Sequence, residues 1–363
     1  MKVVTIVGAR PQFIKAAAVS RALAAHEGIE ERLLHTGQHH DENMSSVFFA
    51  ELGIPEPHAN LGIAGGRHGA MTGAMLAGIE AYLVDEAPDW VLVYGDTNST
   101  LAGALAAAKL HVPIAHVEAG LRSFNRRMPE EVNRVLTDHA STLLLAPTET
   151  AVANLEREGI DGARVHLVGD VMYDAALHVR REDQEDDAWL ARHDLTNGGY
   201  VLATVHRAEN TDAPERLRVI VDGLVTVSGS SPVVLPLHPR TRSALDAAGL
   251  LPLVEQHLRV LPPVGYLDMS RLERHASLIV TDSGGVQKEA YFHRVPCVTV
   301  RDETEWVELV DHGWNVLSPP TDAEALAAVI QDRRGVAGAD VALYGDGMVA
   351  ETVARLLRDS AVR

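Results

Sequence analysis

Acids and bases in this chain gather where apolar runs stop. VVTIV (3–7) is followed by Gly8, Arg10, Pro11 and, one helical turn on, Lys15. WVLVY (90–94) runs into Gly95, Asp96 and Thr97; PIAHV (113–117) runs into Glu118, Ala119, Gly120, Leu121 and Arg122. MPEEVNR then sets Glu130 and Glu131 at a predicted helix start. Part of this is ordinary structure. Asp or Thr after Tyr94 suits a helix cap, and acids in a first turn suit the macrodipole. A Glu directly after an apolar strand and before Gly is poorly explained by capping. Carboxylates that face one another raise each other's proton affinity, which is how a general base or acid is tuned. Arg10 and Lys15 beside such groups point to an anion.

The later half offers donors. YVLATV (200–205) ends in His206, Arg207, Ala208, Glu209 and Asn210; PVVLPL (232–237) ends in His238, Pro239 and Arg240. SLIVT (277–281) ends in Asp282, Ser283, Gly284 and Gly285 within TDSGGVQKEA, a Gly-rich turn opening a helix. Free backbone N–H groups at such a turn attract phosphate. A lone His is more often a core residue, but both of these leave apolar strands beside an Arg. The pattern reads as carboxylate chemistry in the first half and a diphosphate grip in the second.

These residues need a frame that brings strand ends together. Further strands are expected at RLLHT (32–36), TLLLA (142–146), RVHLV (164–168), HLRVL (257–261), PCVTV (296–300) and NVL (315–317). Helical patterns such as FIKAAAVSRALAAH, GAMLAGIEAYLVDE and STLAGALAAAKL separate them. Repeated β-α alternation means parallel sheets covered on both faces. At 363 residues two domains are expected. The charged stretch RREDQEDD (180–187) marks the connection. The expectation is an α/β chain of two Rossmann-like doubly wound domains facing a cleft: 1–175 carrying the carboxylates, and 176–346 carrying the diphosphate grip. A last helix, within 347–363, is expected to pack back on the first. Ligands in such sheets lie beyond the carboxyl ends of strands.

Composition narrows the function. The net charge is −18, against a nucleic-acid or anionic-membrane partner. A local cluster of Arg, Lys and helix N-termini still suits a small anion. The single cysteine, Cys297, excludes an internal disulfide and a Cys-based metal site; no metal is expected. The apolar runs fall short of a membrane span, and VVTIV is too short for a signal-peptide core, so a cytoplasmic location is expected. Only four of the 32 basic residues are lysines, so a Lys at a given site hints at a compact point charge, although Lys2 and Lys109 look ordinary.

Taken together and in order, GARPQFIK, TGQHHDENM, YGDTNST, HVEAGLRS, PEEVNR, TVHRAEN, LPLHPRT, TDSGGVQKEA and RDETEW resemble the non-hydrolysing UDP-N-acetylglucosamine 2-epimerases. The resemblance runs from residue 5 to about 310. It implies the GT-B arrangement, a homodimer, a UDP-sugar substrate and no cofactor. It implies inversion of carbon 2 by elimination of UDP to a 2-acetamidoglucal and re-addition. By motif position, Lys15, Asp96, Glu118, Glu130 and His206 match the catalytic set. Asp96 and Glu118 would handle the carbon-2 proton with Glu130 assisting; the roles of base and acid stay open. Arg10, His206, Ser283, Gly284 and Gly285 match diphosphate positions, Glu289 a ribose carboxylate and Tyr266 the uracil site. Gln38, His39, Arg122, Arg207, His238 and Arg301 complete the implied substrate-binding set. GARPQF and RDETEWVE resemble the branch that includes epimerases of 2,3-diacetamido uronic acid sugars. The alternatives are such an epimerase, a hydrolysing epimerase that releases UDP and N-acetylmannosamine, a GT-B glycosyltransferase, and a non-enzymatic sensor.

Overall fold

The computed structural model describes residues 1–38, 53–182 and 186–360. The chain divides into two compact units, Met1–His178 with Ala342–Arg363, and Val179–Val341. Each is built on one parallel sheet.

In the first unit the strands are β1 Lys2–Val7, β2 Glu30–His35, β3 Ala59–Asn60, β4 Trp90–Tyr94, β5 Ile114–Val117, β6 Leu143–Ala146 and β7 Val165–Leu167. Their order is β3-β2-β1-β4-β5-β6-β7. The order reverses between β1 and β4, so two adjacent parallel strands send their chains to opposite sides and leave a crevice at their carboxyl ends. That crevice is where Gly8 and Gly95 emerge. β3 was not foreseen, because two residues carry no periodic signal.

β4 is buried along its whole length, as a strand covered on both faces must be. The Ala-rich helix Asn98–Lys109 lies tightly on β1 and β4. A Cβ on its Gly103 would come within 2.8 Å of Ile6. Thr97 caps that helix by accepting from Thr100 N. The last helix, Val349–Ser360, packs against Arg10–Ala25, with His26 Nε2 2.8 Å from Glu351 Oε1. Asp174 caps its start through Ala350 N at 2.7 Å.

The second unit carries β8 Val201–Thr204, β9 Val233–Pro236, β10 Arg259–Leu261, β11 Leu278–Thr281, β12 Cys297–Thr299 and β13 Asn315–Leu317. The order β10-β9-β8-β11-β12-β13 reverses between β8 and β11. Alternate residues feed two cores. Val201, Ala203, Leu278 and Val280 enter one; Leu202, Ile279 and Cys297 enter the other. Burial pushes the Cys297 thiol up to about 12, which leaves it inert at neutral pH.

Candidate active site

The turn after β1 is closed by its own helix. Gln12 Oε1 accepts from Gly8 N and Ala9 N at 2.9 and 3.0 Å, while Gln12 Nε2 donates to Tyr94 O and Thr100 Oγ1. Gly8 is obligatory, since a Cβ would fall 2.1 Å from Thr36 Oγ1 and 2.2 Å from Ser99 Oγ. The turn spends these two amides internally, and Arg10 is the first residue of the helix that follows. Gln38 also holds the fold together, because its Oε1 accepts from Ser99 N and Oγ at 3.1 and 2.8 Å. His39 lies outside the described residues.

Lys15 reaches across from the helix to Glu118, and the two form a buried ion pair. Lys15 is 5% exposed and Glu118 9%. Glu118 sits at φ 72, a conformation that costs a non-glycine residue roughly 1–3 kcal/mol. Glu118 N and Ala119 N hold it there by donating to Leu145 O. Gly95, at φ +61, forms the floor: a Cβ there would lie 3.2 Å from Glu118 Oε2 and 3.3 Å from Lys15 Nζ.

Asp96 is gripped from the helix Pro129–Ala140. Arg134 NH2 donates to its carboxylate, and Asn133 Nδ2 donates to its backbone oxygen at 2.9 Å. Arg134 NH1 also lies 3.3 Å from Glu131 Oε2. The two acids of PEEVNR thus separate. Glu131 is 1% exposed and shapes the preceding loop, accepting from Ser123 N and Phe124 N at 2.9 and 3.0 Å. Glu130 is half-buried. Arg134 and Asn133 escaped the sequence reading, although Arg134 stands one turn from Glu130 at i+4 spacing.

Arg122 is tied into an internal network. It donates through Nε and NH2 to Glu158, and through NH1 to Leu121 O and Asp138 Oδ2, all at 2.7–2.8 Å. Burial works against its charge, but Glu158 and Asp138 outweigh that and hold the guanidinium above its ordinary value. The side chain is 1% exposed and committed to these partners.

In the second unit, Asp282 organises the strand ends at the β8/β11 reversal. It is fully buried and accepts from His206 N, Arg207 N and Asn210 Nδ2 at 3.0–3.1 Å. The His206 ring stays 43% exposed, with Nδ1 3.5 Å from Asp282 Oδ1. The rings of His206 and His238 are 6.1 Å apart. His238 Nδ1 accepts from Arg240 N at 3.2 Å and so caps the helix Pro239–Ala247. Ser283 caps Gly284–Phe292, the helix that carries Glu289. A Cβ on Gly284 would meet Glu305 Oε1 at 2.5 Å, so that carboxylate crowds the turn. Arg207 NH2 is 3.9 Å from it. Tyr266 opens the helix Tyr266–Arg274 and is 4% exposed. Arg301 is fully buried, with NH1 3.1 Å from Glu305 and Nε 3.2 Å from Glu209; its Nε and NH2 make no hydrogen bond among the described residues.

Among the described residues no group of His, Cys, Asp and Glu could hold a metal ion, and no helix is long and apolar enough to cross a membrane. The two parallel sheets, each with charged residues at its reversal point, define a Rossmann-like α/β protein. Residues 21–358 match the family model described as UDP-N-acetylglucosamine 2-epimerase. The UDP-2,3-diacetamido-2,3-dideoxy-D-glucuronate 2-epimerase of Pseudomonas aeruginosa is 52% identical, over 98% of this chain and 99% of that one. The Methanocaldococcus jannaschii UDP-GlcNAc 2-epimerase, solved in complex with UDP-GlcNAc and UDP, superposes with a TM-score of 0.92 at 43% identity, over 99% of this chain and all of that one. The Neisseria meningitidis enzyme bound to UDP-GlcNAc gives 0.89 at 28% identity, over 99% and 100%. The chain belongs to the UDP-N-acetylglucosamine 2-epimerase family, and it is an isomerase.

Proposed function

We propose that the protein interconverts UDP-GlcNAc and UDP-ManNAc without hydrolysis. The observation that carries this is the pairing of buried Lys15 with Glu118 over Gly95, beside an Asp96 fixed by Arg134. Hydrogen 2 of the sugar is not acidic while the anomeric bond is intact. The C1–O bond therefore breaks first or with it, its electron pair leaving on UDP. The proton on carbon 2 passes to a carboxylate, Asp96 or Glu118, and C1=C2 forms. Re-addition puts a proton on the other face of carbon 2 and the UDP oxygen back on carbon 1. The hydrogen travels as a proton, so the route needs no redox cofactor.

In the second unit, His206, Ser283 and the Gly284–Gly285 turn are the groups suited to the growing charge on the diphosphate. Fixed donors aimed where charge develops contribute about 3–4 kcal/mol each in comparable sites. A positioned base adds roughly 10²–10⁴-fold. Lys15 supplies the counter-charge that a buried carboxylate such as Glu118 requires. The test is incubation with UDP-GlcNAc in deuterated water, followed by NMR. Deuterium at carbon 2 and the manno UDP-sugar are expected. Free UDP and N-acetylmannosamine in equal amounts would mean hydrolysis, and UDP release without exchange at carbon 2 would remove the epimerase reading.

A second reading concerns the sugar alone. The 52% identity over nearly the whole chain to the Pseudomonas aeruginosa enzyme favours a 2,3-diacetamido-2,3-dideoxy uronic acid in place of GlcNAc. The comparison of kcat/KM for the two UDP-sugars decides between them.

A further inference from the structure

His116 lies inside β5, two residues before Glu118, and is fully buried. Its Nε2 is 2.7 Å from Gly95 O. A carbonyl only accepts, so this nitrogen carries a hydrogen. Its Nδ1 is 2.7 Å from Asp138 Oδ1. The other oxygen of Asp138 accepts from Gly120 N at 3.1 Å and from Arg122 NH1 at 2.7 Å. Gly95 N, in turn, donates to Val117 O at 3.0 Å. Gly95 is therefore clamped on both sides, its N–H by the β5 backbone and its C=O by the His116 ring. That residue is the floor under Lys15 and Glu118, and the next residue is Asp96.

We propose that His116 is a positioning residue for the reaction. It ties the turn carrying Asp96 to the turn carrying Glu118 and holds both in register with Lys15. The inference rests on the epimerase reading of those three residues. Asp138 is itself anchored by Arg122, which Glu158 holds in turn, so the ring transmits a fixed position rather than following a mobile partner.

The two ring nitrogens can be tested apart, because a Gln side-chain amide reaches where Nε2 sits and an Asn amide reaches where Nδ1 sits. Displacement of a reacting group by about 1 Å costs on the order of 10²-fold in rate. In His116→Asn, which loses the Gly95 contact, kcat should fall about 10²-fold, with KM and UDP affinity unchanged. His116→Gln, which restores that contact, should recover most of the lost kcat. Thermal midpoints of both variants are measured, and kinetics are run well below them. Wild-type kcat in His116→Asn, or equal losses in both variants, overturns the proposal. Asp96→Asn is the control: if it too retains full turnover, the carboxylate assignment fails, whereas an inactive Asp96→Asn beside an active His116→Asn sinks only the positioning role.

Discussion

Arg122 shows how burial converts a residue that resembles a ligand hand into a strut. Its guanidinium ends on Glu158, Asp138 and Leu121 O, and Glu158 is held below the carboxylate range chiefly by its hydrogen bond to Arg122. Breaking a buried pair by removing one partner costs about 3–5 kcal/mol, because the other charge is left unpaired. Arg122→Met should therefore lower the unfolding free energy by that amount, read as an earlier denaturant midpoint. A substrate-binding role would instead raise KM in a protein of unchanged stability, so one denaturation curve and one KM separate the two. Lys15, Asp96 and Glu118 behave differently at the same scale. Lys15 and Glu118 pair with each other, and Asp96 keeps a side chain 28% exposed. Residue type was enough to nominate all four. It could not distinguish the side chain tied into several internal bonds from the ones that pair singly, since that depends on which partners arrive from elsewhere in the chain.

At the level of elements, the C-terminal helix Val349–Ser360 depends on an acid in a costly place. Burial raises Asp174 to about 6 from 3.8, offset in part by the amides of Ala350 and Val349 and helped by Asp170 and Asp346. The folded state thus prefers the protonated acid. Its stabilising contribution is complete below about 3.8 and is lost as pH rises through about 6. The thermal midpoint should fall as pH is raised through that window, and Asp174→Asn should flatten the slope; parallel slopes in the two proteins would show that another group is responsible. Strand positions were legible because parallel strands buried on both faces read as unbroken apolar runs, as in WVLVY and LIVT. The two-residue β3 and the use of Gln12 to close the first turn were not. Neither leaves a local pattern, and Gln12 finds its role only when Tyr94 and Thr100 arrive beside it.

For the whole molecule, a net charge of −18 does not oppose an anionic substrate, because a local cluster of cations and helix N-termini can override the global sign. One surface asks for a partner. The helix His68–Glu86 is apolar on nearly every side yet buries only Met75, Ile79 and Leu83, leaving Ala74, Ala77, Ala81 and Val84 exposed. A helix apolar all round belongs inside a larger assembly. We propose a homodimer that covers this face. Light scattering should give about twice the 39.1 kDa chain mass, and Ala77→Arg should return it to one chain. A wild-type monomer at micromolar concentration would refute the dimer, and an unaltered Ala77→Arg dimer would place the interface elsewhere.

The sequence by itself determined the β-α alternation, the charged strand ends and the family, because apolar periodicity, turn glycines and strand-end motifs are all local. Tertiary structure decided which charges do what. Lys15 meets Glu118 across 103 positions and Arg134 meets Asp96 across 38, while Arg122 disappears into an internal network. An ion pair forms where the fold brings two groups together and water leaves, and neither condition is written in the neighbourhood of either residue.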